Sequence, residues 1–226
     1  MSESGPFYST FIDPLLTTMR KRVALEIQAN EKVIDIACGT GAQVFALSEV
    51  VEKITGVDLS ESMIKYAKKT SVKKKITNVD FFICDATDLK SFKNNDFDIA
   101  LMSLALHQFS PELHAPILNE MKRVAQKIII VDYAVPLPKN YTGYGSKVAE
   151  FLAGGEHNRN FKSYYRMGGL NEILKANNLK IEKSKLIGKG AFQMVVCSEK
   201  SSDESFSKKH GKFKHGNQLV TNSSDD

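Results

Sequence analysis

The residues best suited to chemistry lie in one short run, VIDIACGTGAQVFAL, which begins at Val33. An apolar strand pattern carries Asp35, a Gly-x-Gly turn follows at Gly39 and Gly41, and a helical pattern then begins. Glycines at such a turn let the backbone approach a ligand closely, and the N-terminus of the helix offers unbonded N–H groups. The pattern therefore indicates a ligand-binding turn, although glycine also serves purely structural purposes at strand–helix turns.

Three carboxylates stand at the ends of three successive apolar segments: Asp35, Asp58 and Asp85. An unpaired carboxylate at the buried position of Asp35 is costly, so it needs a ligand ammonium or the N–H groups of the turn as its partner. Asp58, at the tip of the second segment, is placed to accept hydrogen bonds from a ribose diol. Together with the glycine turn, the three acids predict a nucleoside-containing ligand at one edge of a sheet.

Five short apolar segments predict the strands that position these residues, and their nearly continuous apolar character is typical of parallel strands buried on both faces. They are Lys32–Ala37, Lys53–Asp58, Val79–Cys84, Phe97–Met102 and Lys127–Asp132. Between them, a helix is predicted over Pro111–Gln126, capped by Ser110, with an inward face of Leu113, Ile117, Leu118, Met121, Val124 and Ala125. A second helix is predicted after Ser60, with Met63, Ile64 and Ala67 inward. This alternation predicts a doubly wound α/β sheet.

The remaining segments differ from this alternation. Leu179–Ile187 and Phe192–Ser198 are strand-like and closely linked, which predicts a terminal antiparallel hairpin. Tyr133–Arg166 is expected to be irregular and to face a ligand, and Phe7–Gln28 to form one or two helices at the same edge. We therefore predict a helical cap or lid over residues 1–30, the α/β domain over 31–200 and a disordered polar tail over 201–226.

Composition and charge limit the possible functions. The chain has 226 residues and no apolar run near the roughly 20 residues of a membrane helix, and its N-terminus lacks a secretory signal, so a cytoplasmic protein is expected. The net charge of +5 and a lysine cluster over 65–75 permit nucleic-acid binding, but the sequence lacks the basic–aromatic interleaving typical of it. Cys38, Cys84 and Cys197 are too scattered for disulfides or a zinc site and are interpreted as packing residues, so no metal site is predicted.

Four motifs carry a family resemblance: DIACGTG, GVDLSESMI, CDATDL and FDIALMSLALHQF. Together they resemble class I S-adenosylmethionine-dependent methyltransferases, in particular the small-molecule group that contains the ubiquinone and menaquinone biosynthesis enzymes. The resemblance covers roughly residues 32–132. It implies a Rossmann-like seven-stranded sheet, mostly parallel with a C-terminal antiparallel hairpin. It also implies S-adenosylmethionine as cofactor, S-adenosylhomocysteine as product and methyl transfer to an oxygen, carbon or nitrogen of a small molecule.

The resemblance assigns cofactor-binding roles to individual residues. Asp35 would interact with the amino group of the methionine moiety, Asp58 with both ribose hydroxyls and Asp85 with the exocyclic amine of adenine. The other residues implied as cofactor contacts are Ala37, Cys38, Gly39 and Gly41 at the methionine half, Leu59 and Ala86 at adenine, and Ser103 with Leu104 near the sulfonium.

Two histidines are candidates for a general base, because imidazole accepts protons near neutral pH. His107 follows the fourth predicted strand; it could equally be a hydrogen-bonded residue that steadies the cofactor loop. His157 lies in the segment expected to face substrate, or else on the surface. Further candidates could shape the acceptor pocket or a lid: Tyr133, Tyr164, Tyr165 and Arg166, and near the N-terminus Tyr8 and Phe11.

Three alternatives compete with this interpretation. A nicotinamide-binding fold is disfavoured because Val44 stands where its fingerprint has a third glycine. A non-catalytic, cofactor-binding regulator would keep the same acids and glycines. A methyltransferase acting on RNA or protein would draw on the lysine cluster, but the nucleic-acid and arginine methyltransferase motifs are missing after the fourth predicted strand.

Overall fold

The computed structural model describes residues 13–140, 142–143 and 155–200. Within them lies one seven-stranded sheet of order β3-β2-β1-β4-β5-β7-β6. Its strands are β1 (Val33–Ile36), β2 (Ile54–Asp58), β3 (Val79–Ile83), β4 (Phe97–Ser103), β5 (Ala125–Tyr133), β6 (Leu179–Ile187) and β7 (Phe192–Glu199). The first five are parallel, and β7 runs antiparallel to both β5 and β6. The predicted Rossmann-like doubly wound sheet with its C-terminal hairpin is therefore confirmed.

Helices connect the strands and cover the sheet. They are α1 (Asp13–Ala24), α2 (Ala42–Leu47), α3 (Glu61–Lys74), α4 (Pro111–Val124), α5 (Gly155–Arg166) and α6 (Gly169–Ala176), and a short 3-10 turn spans Leu106–Gln108. The side chain of Ser60 caps α3 by accepting a hydrogen bond from the Met63 amide, and Pro111 opens α4. Both helix starts lie where the sequence predicts them.

The apolar core lies on both faces of the central strands. Every residue of β1 is buried, which explains why this segment reads as continuously apolar. Asp35 pairs in register with Gly56 of β2 and Leu101 of β4, so the carboxyl ends of these strands meet at one edge. In the described residues, no helix is long and apolar enough to cross a membrane.

The prediction that Tyr133–Arg166 is irregular is wrong at its end, because α5 occupies Gly155–Arg166. Its glycines and asparagines favour a loop, but Phe161 and Tyr164 lie three residues apart and are both buried. Their burial against the core stabilises a helix that local propensity disfavours. Helix α6 was not predicted either; Leu170, Ile173 and Leu174 form its buried face.

Two residues of the predicted inward faces are instead exposed, Leu113 at 37% and Met63 at 42%. Each lies in the first turn of a helix that follows a parallel strand, where the helix begins at the edge of the sheet before it crosses the face. Helix α4 also ends at Val124, so Ala125 and the next residue belong to β5. Helix α1 falls within the predicted N-terminal helical region, whereas Tyr8, Phe11 and the predicted tail lie outside the described residues.

Candidate functional site

The turn between β1 and α2 has an unusual backbone. Ala37, Gly39 and Gly41 all have positive φ angles, of 57°, 54° and 80°. A left-handed conformation costs a non-glycine residue about 1–2 kcal/mol, so the geometry at Ala37 is maintained against a local penalty. The amide of Cys38 donates to the Val57 carbonyl at 3.0 Å, which fastens the turn to the neighbouring strand β2.

The two glycines of the turn have different roles. A Cβ atom at Gly41 would lie 2.9 Å from the ring of Phe81, so close packing excludes a side chain there. A Cβ atom at Gly39 would meet nothing within 4 Å. Gly41 is thus required for packing, whereas the backbone at Gly39 borders open space.

Asp58 connects this turn to the start of α3. One carboxylate oxygen accepts a hydrogen bond from the Gly39 amide and the other accepts one from the Ser60 amide, both at 2.8 Å. A carboxylate oxygen has two lone pairs, so both oxygens keep acceptor capacity for further donors. The structure thus brings together two of the residues predicted to bind cofactor.

Asp35 is a buried acid with unmet hydrogen-bonding capacity. Its side chain is 1% exposed, and Oδ1 has no hydrogen-bond partner among the described residues. Burial raises the pKa of Asp35 to about 8, and the nearby charge of Asp58 contributes to the rise. The hydroxyl of Ser103 and the amide of Gln43 are likewise buried and unbonded within the described residues. Buried polar groups normally have partners, so these atoms fit a site completed by a ligand.

The predicted adenine side is more open. Asp85 is exposed, and its Oδ1 accepts hydrogen bonds from the amide and the hydroxyl of Thr87, both at 2.8 Å. Leu59 is 69% exposed and Ala86 is buried. The assignment of these three residues to adenine stays a prediction.

The three thiols have little nucleophilic character. Burial raises the pKa of Cys38 far above its ordinary value, and it raises the pKa of Cys197 to about 12. The pKa of Cys84 is raised as well, again mainly by burial. The thiolate is the reactive form, so these directions support packing roles for all three.

His107 lies on the 3-10 turn after β4 and is paired with an acid that sequence analysis did not select. Its Nδ1 lies 2.6 Å from Oδ1 of Asp132, near the end of β5, and both side chains are buried. The backbone amide of His107 also donates to Asp132 Oδ2 at 3.0 Å. A second amide, from Tyr133, donates to Asp132 Oδ1 at 2.7 Å. Asp132 therefore holds both the ring and the backbone of His107.

The two candidate bases lie next to each other. The rings of His107 and His157 meet edge to face, with centroids 5.5 Å apart. The rings of Tyr133, Phe161 and Tyr164 also surround His107, with centroids between 4.8 and 6.2 Å from it. Because His107 is buried and His157 is half-buried, His157 is the more accessible of the two imidazoles.

Sequence analysis missed Asp132 although a signal for it exists. It ends the apolar run of the fifth strand, as Asp35, Asp58 and Asp85 end the first three. The same rule would have placed it at the functional edge. Gln43, by contrast, carries no sequence signal, because a glutamine in the first turn of a helix is common.

Comparison with known proteins points to one family. A family described as a methyltransferase domain matches residues 27–186. A demethylmenaquinone methyltransferase of Staphylococcus carnosus is 33% identical over 110 residues, which are 46% of this chain and 44% of the relative. The chain thus spans about half the length of this curated relative.

Solved structures share the fold. A methyltransferase from Aquifex aeolicus, described as dependent on S-adenosylmethionine, superposes with a TM-score of 0.61 at 19% identity, covering 85% of this chain and 92% of the other. Magnesium protoporphyrin IX methyltransferase from Synechocystis, with S-adenosylmethionine bound, gives a TM-score of 0.62 at 14% identity, covering 88% and 87%. At these identities the likeness concerns the fold, and it shows that the fold accommodates this cofactor.

Proposed function

The chain belongs to the class I S-adenosylmethionine-dependent methyltransferase family, as its motifs predict, and from this premise we propose that it transfers a methyl group to a small-molecule acceptor. The observation that carries the proposal is the buried, unsatisfied Oδ1 of Asp35 beside the left-handed turn at Gly39. A cationic ligand group would supply the partner that this oxygen lacks within the described residues.

The acids at the carboxyl ends of β1 to β3 fit S-adenosylmethionine. Asp35 would hold its ammonium group, and Asp58, whose two oxygens keep spare lone pairs, would accept hydrogen bonds from the ribose hydroxyls. Asp85 is assigned to the adenine amine. Three carboxylates at one edge also favour a cation over an anion as ligand, which agrees with the positive charge of a sulfonium compound.

The cofactor would supply an electrophilic methyl group on a sulfonium, so the protein mainly has to orient the acceptor and exclude water. When bound, the sulfonium would release its methyl group to the acceptor and keep the electrons of the broken carbon–sulfur bond. An imidazole of this chain would accept the proton that the acceptor loses. Apart from Ser103 and Leu104, the proposed cofactor residues lie on or directly after β1 to β3. The acceptor is therefore assigned to the ends of β4 and β5, near which His107 and His157 lie.

A small-molecule acceptor is supported by the names of two relatives. The demethylmenaquinone methyltransferase and the magnesium protoporphyrin IX methyltransferase are both named for acceptors of this kind.

The test is a label-transfer assay. The purified chain is incubated with methyl-labelled S-adenosylmethionine and separate metabolite, lipid, RNA and protein fractions of a cell extract. We expect label in the metabolite or lipid fraction. Label only in RNA or protein would contradict the small-molecule acceptor, and binding of S-adenosylhomocysteine without any transfer would favour a regulatory, non-catalytic role.

The matched variants are Asp58→Asn and Asp80→Asn. Asparagine at 58 offers one carbonyl oxygen where two acceptors are needed, so we expect S-adenosylhomocysteine to bind about tenfold or more weakly, measured by calorimetry. Asp80 lies on the same sheet but pairs with the exposed Lys53, away from the turn, so its variant should bind normally. Unchanged affinity in Asp58→Asn would refute the ribose assignment.

A further inference from the structure

The acceptor side of the edge contains a chain of three side chains from three different elements. Asp132 comes from β5, His107 from the turn after β4, and His157 from α5. Carboxylate and first imidazole meet at 2.6 Å, and the two imidazole rings meet edge to face. Resting on the proposed methyl transfer, we propose that Asp132 and His107 are positioning residues, and that His157 is the base that takes the acceptor proton.

Contact with Asp132 determines the tautomer of His107. A carboxylate accepts a hydrogen bond, so the proton of the neutral ring lies on Nδ1, which faces Asp132. The Tyr133 amide donates to the same carboxylate oxygen, and the His107 amide donates to the other. The carboxylate is therefore held by two backbone groups and cannot turn away from the ring. Nε2 is thereby made the basic nitrogen of His107.

His107 and His157 differ in how accessible they are to an acceptor. The His107 side chain is 2% exposed, and the surface of its Nε2 atom is buried. An acceptor of several atoms cannot reach a ring that four aromatic neighbours enclose. His157 is half-buried, on the α5 face that covers the 3-10 turn. It is therefore the imidazole that an acceptor can meet, with His107 behind it.

Hydrogen bonds hold the helix that carries His157 in place, as a base requires. The Asn160 amide donates to the Gln108 carbonyl at 2.7 Å, and the Tyr164 hydroxyl donates to the Tyr133 carbonyl at 2.8 Å. These two bonds tie α5 to the turn and to the end of β5. His157 thus sits on a helix that is fixed to the same two elements as His107 and Asp132.

The charged and titratable groups around this chain come from several elements. Tyr133 and Tyr164 contact the His107 ring, and His114 of α4 lies close enough to Asp132 to interact with its charge. Burial lowers the pKa of His114, and burial also raises the pKa of Tyr164 well above its ordinary value. Both shifts favour the neutral forms of His114 and Tyr164.

The experiment combines nuclear magnetic resonance of ring-labelled histidines with kinetics, using the full chain with bound S-adenosylhomocysteine. Variants His107→Gln and His157→Gln assign the signals, and Asp132→Asn removes the charge. We expect the His107 proton on Nδ1 in the wild type, and displaced His157 ring signals in Asp132→Asn. The proposal would be overturned if the His107 proton were on Nε2, or if the His157 ring signals were the same in Asp132→Asn as in the wild type.

Kinetics with the labelled fraction found in the transfer assay provides the second readout. We expect kcat to fall about 10²-fold in His157→Gln and about tenfold in Asp132→Asn, with the KM for S-adenosylmethionine unchanged. Wild-type kcat in His157→Gln would overturn the assignment of the base. If the wild type transfers no label, the proposed function fails. The histidine ring signals would still show whether Asp132 and His107 position His157. If Asp132→Asn does not fold, two other measurements test the positioning of His157: the tautomer of His107 in the wild type, and the change in the His157 ring signals in His107→Gln.

Discussion

The proposed cofactor side of this sheet edge, at the turns after β1 and β2, and the proposed acceptor side, at the ends of β4 and β5, are built in opposite ways. At the cofactor side, short turns after β1 and β2 present backbone groups and acids, and Asp35 Oδ1 stays unbonded within the described residues. At the acceptor side, Asp132 accepts three close contacts and His107 is enclosed by rings. Within the described residues, the buried acid of the first side has an oxygen without a partner, whereas the buried acid of the second side has both oxygens bonded to its own neighbours.

The difference in hydrogen bonding suits the two sides to different roles, one to binding a ligand and the other to positioning a side chain. A binding site for a recurring cofactor leaves buried polar groups without partners at a cost in stability, and the raised pKa of Asp35 reflects that cost. A site that orients a base must keep its side chains from moving, and packed rings with buried hydrogen bonds achieve this. We therefore expect substitutions at the proposed cofactor side to change stability or ligand affinity. Substitutions at the proposed acceptor side should lower stability or turnover and leave that affinity unchanged.

The largest expected effect is a pH dependence caused by Asp35. Burial raises its pKa from the ordinary value of 3.8 to about 8, so the folded state binds the extra proton between these values. The free energy of unfolding therefore falls as pH rises, by about 1.4 kcal/mol per pH unit, or about 4 kcal/mol between pH 5 and 8. Asp35→Asn removes this slope, which urea unfolding at several pH values measures.

Subtracting the free energy of unfolding of Asp35→Asn from that of the wild type at each pH cancels the contributions of other titratable groups. The depressed pKa values of Glu26 and Glu120 act mainly below pH 5, because their stabilising effect is lost as those acids take up protons. S-adenosylhomocysteine, which carries the ammonium group, should shrink the difference between wild type and variant. Parallel stability curves without ligand would show that Asp35 is not the buried acid described above.

The next effect distinguishes the two glycines of the turn. Gly41→Ala places a Cβ atom 2.9 Å from Phe81 at a positive φ, and we expect a loss of about 2–4 kcal/mol in the free energy of unfolding. Gly39→Ala meets no neighbour, so it should lose only the backbone term of about 1–2 kcal/mol but bind S-adenosylhomocysteine more weakly. Equal losses of stability would mean that both glycines serve packing.

The same contrast explains how much the sequence could predict. The cofactor side is encoded in contiguous runs, so Gly39, Gly41 and Asp58 could be selected from spacing alone, and the structure joins Gly39 to Asp58. The acceptor side depends on pairing between β4 and β5, which places Ser103 beside Val131 and so brings His107 to Asp132, 25 residues away. Helix α5 was missed because burial of Phe161 and Tyr164, invisible in local propensity, stabilises it.

The smallest expected effect tests the acceptor side. Tyr164→Phe removes the hydroxyl that donates to the Tyr133 carbonyl at 2.8 Å and leaves that carbonyl buried without this donor. We expect a loss of about 1–3 kcal/mol in the free energy of unfolding with unchanged affinity for S-adenosylhomocysteine. Tyr165→Phe, at the half-buried neighbouring position, should change stability by less than about 0.5 kcal/mol. A loss of cofactor affinity in Tyr164→Phe would contradict the separation of the two sides, because α5 would then support the cofactor as well as the proposed base.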